Sequence, residues 1–96
     1  MKKRDEQTVG DVVREYLKAQ GLERQMAEAE VLNAFQDLIG KEMARYSREV
    51  HFRNGTLCIE VRSAVLKNEM MMNREKMRND MNRKAGMEVV ERIFLV

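Results

Sequence analysis

Proline and tryptophan are missing from the 96 residues, cysteine and histidine occur once each, and aromatic residues make up only 5% of the chain. The lone Cys58 excludes an internal disulfide framework and any cysteine-rich zinc site within one chain. No window approaches the roughly 20 apolar residues that a membrane span needs. The charged start Met1-Lys2-Lys3-Arg4-Asp5-Glu6-Gln7 has no apolar stretch behind it, so it does not read as a signal peptide. A cytoplasmic protein with no membrane partner is therefore expected. Internal repeats and low-complexity segments are also lacking. So are Gly-x-Gly-x-x-Gly, a Walker-type loop and Gly-x-Ser-x-Gly, which removes the common phosphate-cradle and nucleophile-elbow chemistries.

What remains is a composition 44% hydrophobic and 35% charged, globular rather than disordered, and long enough for one small core. Residues 1–7 read as a flexible N-terminal segment and 8–96 as a single α+β domain. Val9, Val12, Val13, Tyr16 and Leu17 share one helical face, with Thr8 and Asp11 as a capping-box start and Gly21 as the stop. A second helix runs from about Glu23, with Met26, Val31, Leu32, Phe35, Leu38 and Ile39 inward. Lys41–Tyr46 can add a short turn.

The period then changes. Arg48–Phe52 and Thr56–Val61 read as strands joined at Asn54-Gly55, whose residue types suit the positive φ angles of a type I′ hairpin turn. A two-residue loop there pairs Arg53 with Thr56, Phe52 with Leu57, His51 with Cys58, and Val50 with Ile59. Alternate pairs then lie on opposite faces: Val50, Phe52, Leu57 and Ile59 on one, His51, Arg53, Thr56 and Cys58 on the other. From Ser63 to about Lys84 the helical period returns, with Leu66, Met70, Met77 and Met81 as a core stripe. Gly86 ends that helix, and Val89–Val96 closes the chain as a strand of ambiguous parity. The expected fold is α+β: helix, helix, strand, strand, helix, strand, with a three-stranded sheet and helices on one face.

Catalysis finds little to work with. His51 and Cys58 form an ordinary cross-strand pair without a third orienting group. Glu28 and Glu30 point in different directions on their helix, and Glu49 with Glu60 is a mildly unfavourable surface pair. Neither an enzyme nor a bound cofactor or metal is expected.

Charge is more informative. The net +2 conceals a balance of −2 over residues 1–40, +5 over 41–84 and −1 over the last twelve. Within the basic segment, Lys67, Arg74 and Arg78 are spaced for one helical stripe. Arg53 at the hairpin tip, with Arg45, Arg48 and Arg62 nearby in sequence, can extend it into a candidate phosphate-facing surface. With Phe35 and Phe52 claimed by the core, the few aromatics do not support a stacking platform for single strands.

The order of motifs carries a resemblance over about Val9 to Leu95. It runs through Asn33-Ala34-Phe35-Gln36-Asp37-Leu38-Ile39-Gly40, Ala44-Arg45-Tyr46-Ser47 and Asn54-Gly55-Thr56-Leu57-Cys58-Ile59-Glu60-Val61. Ser63-Ala64-Val65-Leu66-Lys67-Asn68-Glu69-Met70, Met81-Asn82 with Gly86, and Ile93-Phe94 follow. The series resembles the DciA-like family of small bacterial proteins, in which tryptophan usually stands where this chain has Phe35 and Leu66. The resemblance implies a fold similar to a K-homology domain, DNA binding, and a role in loading or positioning the replicative helicase. No Gly-x-x-Gly loop is present, so the usual K-homology clamp on nucleic acid is not expected. Two other readings stand beside this one. One is a protein-interaction module without direct nucleic-acid binding, using the apolar second face of Val89–Val96 as a homodimer or partner surface. The other is an RNA-binding relative of K-homology domains.

Overall fold

The computed structural model describes residues 8–96, apart from the side chain of Leu17; the expectation of a flexible segment over 1–7 lies outside the described residues. The element order is α1 (Val9–Ala19), α2 (Glu23–Asn33), α3 (Phe35–Ile39), α4 (Lys41–Arg45), β1 (Ser47–Arg53), β2 (Thr56–Val61), α5 (Ala64–Met72), α6 (Arg74–Ala85) and β3 (Arg92–Leu95). The strands form one sheet in the order β1-β2-β3, antiparallel between β1 and β2 and parallel between β2 and β3. Parallel neighbours need a crossover, and α5 with α6 supplies it. This is the α+β fold expected from the sequence.

The hairpin has the expected register. Arg53 pairs with Thr56, Phe52 with Leu57, His51 with Cys58, Val50 with Ile59, and Glu49 with Glu60. Asn54 and Gly55 have φ values of 47° and 81°, as the type I′ turn requires. The Gly55 carbonyl accepts from the backbone N–H of Glu91 at 2.8 Å, and a Cβ at Gly55 would stand 2.6 Å from the Glu91 side chain. Glu91 is also bound by Arg24 of α2 at 3.0 Å, so the hairpin tip, the approach to β3 and α2 are tied together.

Leu57, Ile59 and Ile93 of the sheet pack with Ala27, Val31, Phe35, Met70, Met77 and Met81 of the helices, and with Val89 and Val90. Val50, Phe52, Val61 and Leu95 pack against this core from its margin. All the strand residues among these alternate onto one face, so the helices cover that face and the other is open.

Four expectations are corrected. The helix expected from Glu23 bends at Ala34 into α2 and α3; Phe35 is buried while Leu32 is left exposed. The long helix over 63–84 breaks at Asn73, whose side-chain amide donates to the Glu69 carbonyl at 3.0 Å and competes with the helical ladder. The final strand is only Arg92–Leu95. Val89 and Val90 are fully buried ahead of it, because Asn82 takes the Val90 N–H at 2.8 Å and its carbonyl at 3.0 Å, the groups a sheet ladder would use. Finally, α1 starts with the expected Thr8–Asp11 capping box, but the described residues of its apolar face are left open: Val9 is 80% exposed, Val12 53% and Tyr16 63%.

Candidate nucleic-acid interface

The seven cations singled out in the sequence do not gather on one surface. Strand β1 puts Arg48 near its start and Arg53 at its end, roughly 20 Å apart over a strand of seven residues. Lys67 lies on α5, and Arg74 and Arg78 on α6.

At the end opposite the hairpin tip, Arg45, Arg48 and Arg62 lie close to Tyr46 along the chain or through its backbone. Arg45 closes α4, its guanidinium 5.5 Å from the centre of the Tyr46 ring and 3.6 Å from Glu42. The Arg62 backbone N–H donates to the Tyr46 carbonyl at 2.8 Å. Arg48 occupies the irregular step between the Ser47–Val61 and Glu49–Glu60 pairs, where an extra residue bends the strand. The three thus share one end of the hairpin by chain position. Tyr46, whose ring meets Arg45, was visible as a residue but not as a member of the group.

At the tip, Arg53 stands in one cross-strand row with Thr56 and Arg92, and Arg92 Nη1 donates to Thr56 Oγ1 at 3.1 Å. Arg92 was missed from sequence, because only the β2–β3 register puts it in the same row as Arg53. The break at Asn73 also divides the proposed stripe, leaving Lys67 half-buried on α5 and Arg74 exposed at the start of α6. Arg78 is engaged by carboxylates, Glu75 at 2.9 Å and Glu88 at 3.4 Å. The hydrogen bond to Glu75 and its charge hold the Arg78 pKa above the ordinary arginine value, while the same contact lowers that of Glu75. Among the described residues, no carboxylate lies within ion-pair distance of Arg48, Arg53, Arg62, Lys67 or Arg74.

Other chemistry is sparse. Among the described residues no group of three or more His, Cys, Asp and Glu is placed to hold a metal ion, and no helix is long and apolar enough to cross a membrane.

The chain is thus a small α+β domain with one covered and one open sheet face, and with cations free of carboxylates at both ends of its hairpin. A family model described as "Dna[CI] antecedent, DciA" matches residues 8–95, and the chain belongs to that family. The family is associated with helicase loading in DNA replication and with the replicative helicase. No curated protein and no solved structure matches the chain, and its K-homology likeness rests on the family resemblance alone.

Proposed function

We propose that this domain is a non-enzymatic accessory of DNA replication that helps load or position the replicative helicase and binds DNA weakly and directly. One observation supports the DNA contact above the others: Arg48 and Arg62 lie at one end of the hairpin, Arg62 bonded through its backbone to Tyr46, with no carboxylate partner among the described residues. Free guanidiniums in such a group gain by replacing the counterions of a phosphate backbone, a sequence-independent attraction that weakens with salt. Arg45, Arg53, Lys67 and Arg74 are secondary contributors. Arg78, already bound by two carboxylates, contributes least.

Fluorescence anisotropy with labelled duplex and single-stranded DNA tests this reading. Replacing Arg48→Glu together with Arg62→Glu is expected to lower affinity by about tenfold or more at low salt, and to reduce the salt slope by about two. Undetectable binding by the parent chain, or binding indifferent to the double reversal, sinks the DNA half. Failure of the immobilised chain to retain purified replicative helicase sinks the other half. A preference for single-stranded RNA over DNA at equal salt would move the reading to an RNA-binding domain.

A second reading, a module that pairs with another protein chain through β3, is favoured by one feature. Phe94, on the edge strand β3, is 56% exposed, and Val96 just after the strand is about as open.

A further inference from the structure

The open face of the sheet is organised in three evenly spaced rows. Nearest the tip is Arg53–Thr56–Arg92, next is His51–Cys58–Phe94, and last comes Glu49–Glu60. Val96 flanks Glu60, its N–H donating to the Ile59 carbonyl and its carbonyl accepting from Val61, both at 3.0 Å. One end of the face is therefore positive, the centre aromatic and weakly polar, and the other end negative. Arg48 and Arg62 lie beyond the negative row, toward the Ser47–Val61 end of the ladder.

We infer that the occupant of this face is a second copy of the same chain, packed sheet against sheet. The inference rests on the second reading above and supplies its geometry. Take a twofold axis that runs along the middle row, midway between two facing sheets. It reverses the strand direction, so the Arg53–Thr56–Arg92 row of each copy faces the Glu49–Glu60 row of the other. Cys58 then faces Cys58, and Phe94 faces Phe94. The same patch serves both copies, as a closed two-fold interface requires. Each charged row finds its complement twice, which fixes both orientation and register.

A nucleic acid fits the same face less well. Any backbone crossing it would meet Glu49 and Glu60 as well as Arg53 and Arg92. Three strands about 4.8 Å apart and five residues deep present only a few hundred Å2, the low end of protein interfaces, so the pairing is weak and concentration-dependent.

Sedimentation velocity of the full chain, from micromolar to millimolar, reads the association. Arg53→Glu and Glu49→Arg, made singly, each place like charges face to face at two symmetric points and are expected to weaken dimerisation by about tenfold or more. Made together they exchange the two rows and restore the parent dissociation constant within a few-fold. A short bis-maleimide provides the second readout. Cys58 is the only cysteine, and facing sheets lie about 10 Å apart, so the reagent is expected to join two chains covalently through Cys58.

A chain that stays monomeric throughout overturns the face-to-face dimer and leaves β3 to a different protein chain. A dimer that forms but is not rescued by the double exchange, or in which Cys58 cannot be bridged, overturns this geometry and leaves pairing through the β3 edge. Protection of Cys58 from maleimide by a single-stranded oligonucleotide, with no change in sedimentation of the free chain, assigns the face to nucleic acid and also overturns the inference.

Discussion

Helices α1 and α6 are nearly equal in length, eleven and twelve residues, and their packing is opposite. In α1 the apolar residues are segregated cleanly onto one side, and Val9, Val12, Val13 and Tyr16 of that side face solvent. In α6, Arg-Glu-Lys-Met-Arg-Asn-Asp-Met-Asn-Arg-Lys-Ala is polar at most positions, yet Met77, Met81 and Asn82 are buried. Segregation in a sequence says which side of a helix would be buried if a partner were present; it does not supply the partner. Helix α1 is capped by its own Thr8 and Asp11, with the Asp11 N–H donating to Thr8 Oγ1 at 3.1 Å, so its first turn is satisfied without help from the core. Helix α6 lies against α2, α3, α5 and β3, where two methionines and one asparagine reach the interior.

The sharpest way to break this contrast is at Met81, which has no exposed surface. Met81→Ala leaves a cavity among Met70, Met77 and the sheet side chains and is expected to cost about 3 kcal/mol in chemical denaturation. A loss below about 1 kcal/mol would mean that α6 is not the helix that closes the core. Asn82→Ala comes next, at about 2 kcal/mol, because the buried N–H and carbonyl of Val90 both lose their partner. Its mark should be local as well, with amide exchange accelerating at Val90 and in β3 before it does in β1. Uniform acceleration would argue against Asn82 as the clamp on the approach to β3.

At the other end of the scale, Val12→Ser with Tyr16→Ser is expected to change stability by less than about 0.5 kcal/mol, since both side chains are mostly exposed. A large loss would show that the face of α1 is covered in solution by another chain.

The hairpin was legible because its information is local. Asn54-Gly55 sets the turn, and a period of two assigns Val50, Phe52, Leu57 and Ile59 to one face without knowledge of anything else. The breaks at Ala34 and Asn73 were not legible, because the apolar spacing runs through both. At Asn73 the outcome depends on a side-chain bond to the Glu69 carbonyl that competes only weakly with the helix. The parity of the last strand was undecidable from Ile93-Phe94-Leu95-Val96 alone; it is settled by Asn82, which holds Val90 out of the ladder so that Ile93 faces inward. The candidate site was half legible for the same reason. Arg45, Arg48 and Arg62 sit on neighbouring chain segments. Arg53 and Arg92 meet only through a parallel pairing across the crossover.

The smallest expected effect concerns the solvent side of α6, where α1 has no counterpart among the described residues. Lys76 Nζ donates to Asp80 Oδ2 at 2.8 Å, and Arg83 Nη1 donates to Asp80 Oδ1 at 3.1 Å, so one carboxylate holds a cation on each side along the helix. The hydrogen bond from Lys76 lowers the Asp80 pKa most, with the Arg83 contacts adding to it. A carboxyl group whose pKa is lower folded than unfolded contributes stability above its unfolded value and loses that contribution as pH falls through the folded one. The pair therefore acts at neutral pH and disappears in acid, below the ordinary carboxylate range. Lys76→Met should move the carboxyl-carbon NMR titration midpoint of Asp80 upward toward that range. At high salt the gap between parent and variant should narrow, since these are exposed charges and ions screen them. A midpoint indifferent to Lys76→Met would place the control of Asp80 in Arg83 instead, and Arg83→Met would then carry the shift.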